Sequence, residues 1–105
     1  MKKILTDENY DAEIAACQAP CMVEFFAAWC EHCKRMAPII DELAKEFHGK
    51  ITVFLADVDI AVIHTDALNI MATPTIFLMK NGQTVQQFTG EKDKATLSSA
   101  LQSLL

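Results

Sequence analysis

The chain has 105 residues, 51% of them hydrophobic, which allows one hydrophobic core and leaves little room for a second. We therefore expect a single domain over residues 1–105. The net charge of -5 and the absence of a block of Lys and Arg argue against a nucleic-acid surface or an anionic membrane as the partner.

We expect neither a membrane span nor an export signal in this chain. No apolar run approaches the ~20 residues that a membrane-spanning helix needs. The two lysines Lys2 and Lys3 precede only two apolar residues and then acidic ones, which is too short for a signal-peptide core. We therefore expect a cytoplasmic protein, and in that compartment a Cys-x-x-Cys pair is usually catalytic or metal-binding.

Strand and helix signals alternate from the first residues onward. Residues 2–5 favour an edge strand, and Thr6 or Asp7 can cap a helix that runs to about Cys17. Residues 22–28 form a nearly unbroken apolar run of strand length. Such a run predicts a central strand that is covered on both faces.

Apolar residues recur at helical spacing over 33–48, which predicts a helix that Pro38 kinks and Gly49 ends. The dipeptide Asn81-Gly82 predicts a hairpin turn, so the two strands beside it should be antiparallel. The remaining elements are predicted as strands at 51–56, 75–79 and 84–89, a helix at 60–68 and a C-terminal helix after Gly90. The order βαβαβαββα predicts an α/β fold with a mixed sheet and helices on both sides.

Two thiols three residues apart, Cys30 and Cys33, lie where the central strand gives way to a helix. The free N–H groups at a helix N-terminus stabilise a thiolate, so this position suits reversible dithiol–disulfide chemistry. We expect Cys30 to be exposed, to have the lower pKa and to attack a substrate disulfide. Cys33 should be more buried and should resolve the mixed disulfide by attacking Cys30.

Glu24 places a carboxylate in the middle of the otherwise apolar central strand. Burial should raise its pKa until it is partly protonated near neutrality, and such a group can take the proton from Cys33. The alternative is a side chain that turns to solvent at the end of the sheet.

Several separated motifs together resemble the thioredoxin family over essentially the whole chain. They are Phe25-Phe26-Ala27-Ala28-Trp29-Cys30, the Cys-x-x-Cys-Lys at 30–34, Pro38, Ala72-Thr73-Pro74-Thr75, Lys80-Asn81-Gly82 and Gly90. The resemblance implies the thioredoxin fold, a mixed five-stranded sheet flanked by four helices. It also implies a monomeric protein-disulfide reductase that works through a mixed disulfide, with no metal and no cofactor beyond the redox-active Cys30–Cys33 disulfide.

The resemblance also assigns roles to residues outside the motif. It implies that the Thr73-Pro74 bond is cis, which Pro permits at modest cost, and that the backbone there pairs with the substrate. It implies an apolar substrate groove lined by Trp29, Val58, Ala72, Thr73 and Gly90. The family normally has Asp at the position of Glu24 and a lysine at the position of Leu55. Because that cation is lost here, the pKa of Glu24 should be higher than that of the family's carboxylate.

The main departure from the family is Glu31-His32, where thioredoxins proper carry Gly-Pro. A His in this position can stabilise the Cys30 thiolate by charge and hydrogen bonding, whereas Glu31 disfavours the thiolate. We expect His32 to dominate and to raise the reduction potential by tens of millivolts, where ~30 mV corresponds to about 1.4 kcal/mol.

Two functions of other kinds stay open beside protein-disulfide reduction. His32 favours a disulfide oxidase or isomerase with a more oxidising potential. Alternatively, Cys30 and Cys33 could bind a soft metal, or the fold could present a groove to a protein partner without catalysis. The partners we expect are protein disulfides and a thioredoxin reductase or similar electron donor.

Cys17 and Cys21 are additional thiols. If residues 22–28 form a strand, Cys21 and Cys30 lie well over ~20 Å apart, too far to share a zinc ion. Cys17 and Cys21 could still bridge each other, or they could be two small hydrophobic residues of the core.

Overall fold

The computed structural model describes residues 2–105, which form five strands and four helices in the predicted order. The elements are β1 Lys2–Leu5, α1 Tyr10–Ala16, β2 Cys21–Phe26, α2 Glu31–Glu46, β3 Thr52–Asp57, α3 Val62–Ala67, β4 Thr75–Lys80, β5 Gln83–Thr89 and α4 Lys94–Gln102. Within residues 2–105, no helix has both the length and the apolar character needed to cross a membrane.

The five strands form one mixed sheet in the order β1-β3-β2-β4-β5. β3 pairs in parallel with β1 and with β2, whereas β4 runs antiparallel to both β2 and β5. The apolar β2 therefore lies in the middle and β1 at an edge, as the sequence predicted.

Side chains alternate between the two faces of the sheet, and helices cover both faces. On one face Met22 and Val53 pack against α2 and α4 through residues such as Ile40 and Leu101. On the other face the neighbouring strand residues pack against α1 and the start of α3, in a cluster that includes Val23, Phe25, Phe54, Tyr10 and Ala61. Because Glu24 is two residues from Met22, it shares the α2 face of the sheet.

Helix α1 begins at Tyr10, later than predicted, because a separate turn precedes it. Thr6 and Asn9 close this turn, since each side-chain oxygen accepts from the other residue's backbone N–H, at 2.7 and 3.3 Å. Asp7, the other predicted cap, lies at a different helix. Its carboxylate accepts from the backbone N–H groups of Ile63 and His64, both at 3.1 Å, at the start of α3.

Helix α2 begins at Glu31, two residues before the predicted start at Cys33. The helix starts early because Cys30 itself is the N-cap, so the motif is part of the first turn. Pro38 lies inside α2, and the helix is continuous through it. At the β4–β5 hairpin, Asn81 and Gly82 have φ angles of 55° and 76°, the left-handed pair that an Asn-Gly turn of this kind requires.

Candidate active site

The two motif thiols meet at the N-terminus of α2. The extended backbone of Cys30 turns its sulfur back over the first turn, where it accepts from the backbone N–H of Cys33 at 3.3 Å. This contact gives the Cys30 sulfur a hydrogen-bond donor that would otherwise be unpaired at the helix end.

The Thr73-Pro74 segment lies against this turn. Its peptide bond is cis, as expected, and the Cys30 thiol donates to the Thr73 carbonyl at 3.5 Å. On the other side, the Gly90 N–H donates to the Pro74 carbonyl at 2.9 Å. The Thr73-Pro74 segment, here called the proline loop, therefore connects the Cys30 sulfur to the loop that follows β5.

The expected difference in exposure between the two thiols is wrong. Cys30 and Cys33 each expose 6% of their surface, because Cys30 packs with Ala27 and Cys33 and the Thr73 carbonyl lies against its sulfur. The two thiols differ instead in electrostatics. Burial disfavours the Cys30 thiolate, but hydrogen bonds from Cys33, from the Thr73 side chain and from the His32 backbone outweigh it and lower the pKa of Cys30. Burial and the neighbouring Cys30 raise the pKa of Cys33 to about 11.

Glu24 is buried and does not turn to solvent: it exposes 4% of its surface. Its Oε2 atom has no hydrogen-bond partner within residues 2–105. Burial raises the pKa of Glu24 to about 7, although the charge of Lys2 partly opposes this. Glu24 and Cys33 line the same cavity of about 200 Å³, which has room for a water molecule between polar groups.

A cation lies at this cavity despite the apolar residue at position 55. Leu55 lines the cavity, and so does Lys2, which comes from the edge strand β1. Lys2 forms an ion pair with Asp41 of α2, another lining residue. The expectation that Glu24 lacks a nearby cation is therefore wrong, because a neighbouring strand supplies the charge.

The His32 side chain is engaged away from the thiols. It is 61% exposed, and its Nδ1 lies 2.5 Å from Glu91 Oε1 and 2.9 Å from Arg35 Nη2. Of the His32 groups, the backbone N–H and not the ring contributes to the lowered pKa of Cys30. Glu31 points to solvent and pairs with Lys34 at 3.3 Å.

Four of the five predicted groove residues have contacts or exposure that place them around the thiols. Val58 is half-buried and packs against the Cys30 and Cys33 cluster, while Thr73 contacts Cys30 directly. Trp29 is 69% exposed, and its indole N–H donates to Asp59 at 3.0 Å. Gly90 is held by the Pro74 carbonyl.

The fifth predicted groove residue, Ala72, lies on the exposed surface beside Met71. Met71 exposes 85% of its surface and adds apolar area beside the Thr73-Pro74 segment.

The remaining cysteines lie at the opposite end of β2. Cys17 is partly buried and its thiol donates to the Ala19 carbonyl at 3.4 Å, whereas Cys21 is buried. Both are free thiols, and burial raises the pKa of Cys21 to about 12. Both pack against the apolar cluster on the α1 face, and a bridge between these neighbouring thiols stays a prediction.

The sequence did not reveal three charged residues around the site: Lys2, Asp41 and Glu91. Asp41 could have been placed from helical spacing, since it lies eight residues after Cys33 on the same face of α2. Lys2 and Glu91 contact residues 39 and 59 positions away, and no local pattern signals such contacts.

Comparison with known proteins gives consistent matches over nearly the whole chain. A family model described as Thioredoxin matches residues 1–103. Thioredoxin M-type, chloroplastic, of Spinacia oleracea is 37% identical over 101 residues, which cover 96% of this chain and 56% of that protein. Thioredoxin 1 of Nostoc sp. is 34% identical over 101 residues, which cover 96% of this chain and 94% of that protein. Thioredoxin C-2 of Corynebacterium nephridii is 33% identical over 94 residues, at 90% and 87% coverage.

The chain spans little more than half the length of the chloroplastic relatives, between 56% and 60% for those of Spinacia oleracea, Zea mays and Pisum sativum.

Proposed function

This chain belongs to the thioredoxin family, and on that premise we propose that it is a thiol–disulfide oxidoreductase that reduces protein disulfides. The observation that carries the proposal is that the pKa values of the two motif thiols are shifted in opposite directions. The pKa of Cys30 is lowered and that of Cys33 is raised, so one sulfur is ready to attack while the other stays protonated.

The proposed reaction transfers two electrons from the protein to the substrate. The Cys30 thiolate attacks one sulfur of a substrate disulfide, the S–S bond breaks, and the other substrate sulfur leaves as a thiolate that takes up a proton. Cys33 then loses its proton and attacks Cys30, which releases the second substrate thiol and leaves the Cys30–Cys33 disulfide.

Glu24 is proposed as the acceptor of the Cys33 proton. Both groups line one cavity, and a carboxyl group with a pKa of about 7 can accept a proton near neutral pH. The transfer is direct or runs through a water molecule in the cavity. Thr73 and Pro74 are proposed to hold the substrate backbone beside Cys30, within a groove lined by Trp29, Val58, Ala72 and Gly90.

The proposed partners are protein disulfides and a thioredoxin reductase or similar electron donor. We propose that the protein works in the cytoplasm, because a reducing compartment keeps Cys30 and Cys33 in the dithiol form that attacks substrates. Its motif has Glu31-His32 between the thiols, and the electron donor must therefore accept a charged surface there.

Reduction of insulin disulfides by dithiothreitol tests the proposal. Wild-type protein should accelerate the reaction, and Cys30→Ser should abolish the acceleration. Cys33→Ser should instead form a stable mixed disulfide with the substrate, because the resolving thiol is missing. Cys21→Ser is the matched control and should leave the rate unchanged, since Cys21 lies at the other end of β2. No acceleration by the wild-type protein, or full activity in Cys30→Ser, would contradict the proposal.

A further inference from the structure

Three side chains form a charged cluster beside the motif. Glu91, in the loop after β5, accepts from Arg35 through both Nε and Nη2, at 2.9 and 2.6 Å. The same Oε1 atom lies 2.5 Å from Nδ1 of His32. One carboxylate oxygen therefore holds two basic side chains from the first turns of α2.

The geometry fixes where the His32 ring points. Arg35 and His32 together lower the pKa of Glu91 to about 2, so Glu91 is a carboxylate that can only accept hydrogen bonds. Nδ1 of His32 lies 2.5 Å from this carboxylate and 2.9 Å from Arg35 Nη2, so these two groups hold the ring. From His32, the Cys30 sulfur receives the backbone N–H and not the ring.

Arg35 is the second basic group that Glu91 engages. Glu91 is the main cause of the raised pKa of Arg35, and the charges of Glu31 and, less strongly, of Cys30 raise it further. Arg35 and the Cys30 thiolate therefore attract each other, and the carboxylate of Glu91 offsets part of the positive charge that Cys30 experiences. The other charged residues of this turn, Glu31 and Lys34, pair with each other.

We propose that Glu91 is a positioning residue that sets the reduction potential of the Cys30–Cys33 couple, by holding His32 and neutralising Arg35 beside the attacking thiol. The inference rests on the proposed function, because the potential matters only if the couple exchanges with other disulfides. It explains how a motif with His in the second position can remain reducing: a carboxylate, and not the Cys30 sulfur, holds the His32 ring. Glu91 thereby opposes the rise in potential that the sequence of the motif alone predicts.

The chemistry follows from the stability of the reduced form. Reduction of the disulfide by two molecules of glutathione gives the Cys30 and Cys33 thiols and one glutathione disulfide, so atoms and electrons balance. Any group that stabilises the Cys30 thiolate favours the reduced protein and makes the couple more oxidising. Removal of the Glu91 charge leaves His32 and Arg35 free to stabilise the Cys30 thiolate.

Redox equilibration with glutathione, followed by the fluorescence of Trp29 next to Cys30, tests the inference. In Glu91→Gln the equilibrium constant for reduction of the protein disulfide should rise about fourfold, since each exposed charge contact is worth roughly a factor of two. Fourfold corresponds to about 18 mV for this two-electron couple. Glu91→Asp keeps the carboxylate and should stay near the wild-type value. Glu46→Gln removes an exposed, ion-paired Glu at the far end of α2 and should cause no change.

A second background separates positioning from a direct effect of the Glu91 charge. When His32→Ala and Arg35→Gln are both present, Glu91→Gln should no longer change the equilibrium constant, because the groups through which it acts are gone. An undiminished change in that background overturns the inference, and so does an unchanged constant in Glu91→Gln alone.

The control that distinguishes the inference from the proposed function is the wild-type protein. If it equilibrates with glutathione and reduces insulin disulfides while Glu91→Gln behaves identically, only the role of Glu91 fails. If the wild-type Cys30–Cys33 pair does not exchange with glutathione, both fail.

Discussion

Glu24 is a carboxylate that the fold holds among apolar side chains on the middle strand. Its exposed fraction is 4%, and one of its oxygens has no partner within the described residues 2–105. A charge in such a place is costly, and Glu24 lines the same cavity as Cys33, the thiol proposed to resolve the mixed disulfide. Glu24 thus lowers the stability of the fold and provides a group that can accept a proton beside Cys33.

The first prediction concerns the pH dependence of this cost. The pKa of Glu24 is about 7 in the folded protein and about 4.5 when unfolded, so between these values the folded state binds more protons and stability falls as pH rises. Glu24→Gln removes the charge at every pH. It should therefore be more stable than the wild type by about 2 to 3 kcal/mol at pH 8.5, and by much less at pH 4.

Denaturant unfolding of both proteins at the two pH values measures this difference. A stability gain of equal size at pH 4 and pH 8.5 would show that Glu24 titrates normally and that the effect comes from packing.

The second prediction concerns the cation from β1. Lys2 lines the cavity and its charge lowers the pKa of Glu24, so Lys2→Met should raise that pKa above its value of about 7. Asp41→Asn should act in the opposite direction, because it removes a negative charge and leaves Lys2 without its partner. NMR titration of the Glu24 carboxyl group measures both shifts.

Lys3→Met is the matched control for Lys2→Met. Lys3 is paired with Phe54 in the sheet, so its side chain is on the α1 face, where it lies 3.6 Å from Glu13. The Lys3→Met substitution should leave the Glu24 titration unchanged. Shifts of the same sign in Lys2→Met and Asp41→Asn would refute the electrostatic explanation.

At the scale of elements, a cluster around His64 joins α3 to α1 and the turn before it. The ring of His64 stacks on Tyr10 with centroids 4.2 Å apart. Its nitrogens lie 2.8 Å from Asp7 and 3.1 Å from Asp11. These contacts connect two helices on one face of the sheet.

The third prediction follows from this contact. A hydrogen bond to Asp7 raises the pKa of His64, and a hydrogen bond to His64 lowers the pKa of Asp7. The pair therefore stabilises the fold fully between the ordinary carboxyl and imidazole values, about 4 and 6.5. Stability is lost below this window as Asp7 takes up a proton, and above it as pH passes through the raised pKa of His64.

Thermal unfolding as a function of pH checks this prediction. His64→Gln should lower the melting temperature at pH 5.5 and have a much smaller effect at pH 8.5. His48→Gln, which replaces an exposed histidine in the turn after α2, should show no such pH-dependent loss. Equal losses in His64→Gln at both pH values would mean that stacking on Tyr10, and not the charge, accounts for the contribution.

At the scale of the whole molecule, the site combines segments that are far apart in sequence. Glu24 and Cys30 belong to β2 and the start of α2, Val58 follows β3, Pro74 precedes β4 and Gly90 follows β5. β2 and β3 run parallel while β4 runs antiparallel to β2, so these strand ends meet at one edge of the sheet. The topology alone therefore brings the thiols, the proline loop and the groove together.

Much of this could be predicted from the sequence because it depends on local patterns. The order of elements follows from apolar periodicity and turn residues, and the burial of Glu24 follows from its position in an apolar strand. The cis Thr73-Pro74 bond was expected only from the family resemblance. Helix starts were less accurate, because Cys30 and the Thr6–Asn9 turn are caps whose side-chain contacts depend on backbone angles.

Local patterns in the chain are thus enough to predict the fold, the two thiols and the buried carboxylate. Three features are visible only in the folded protein: Cys30 is as buried as Cys33, Lys2 reaches the cavity of Glu24, and Glu91 contacts His32. These features are contacts between residues far apart in sequence. They depend on strand register and on how side chains pack where elements meet, which the periodicity within one element does not specify.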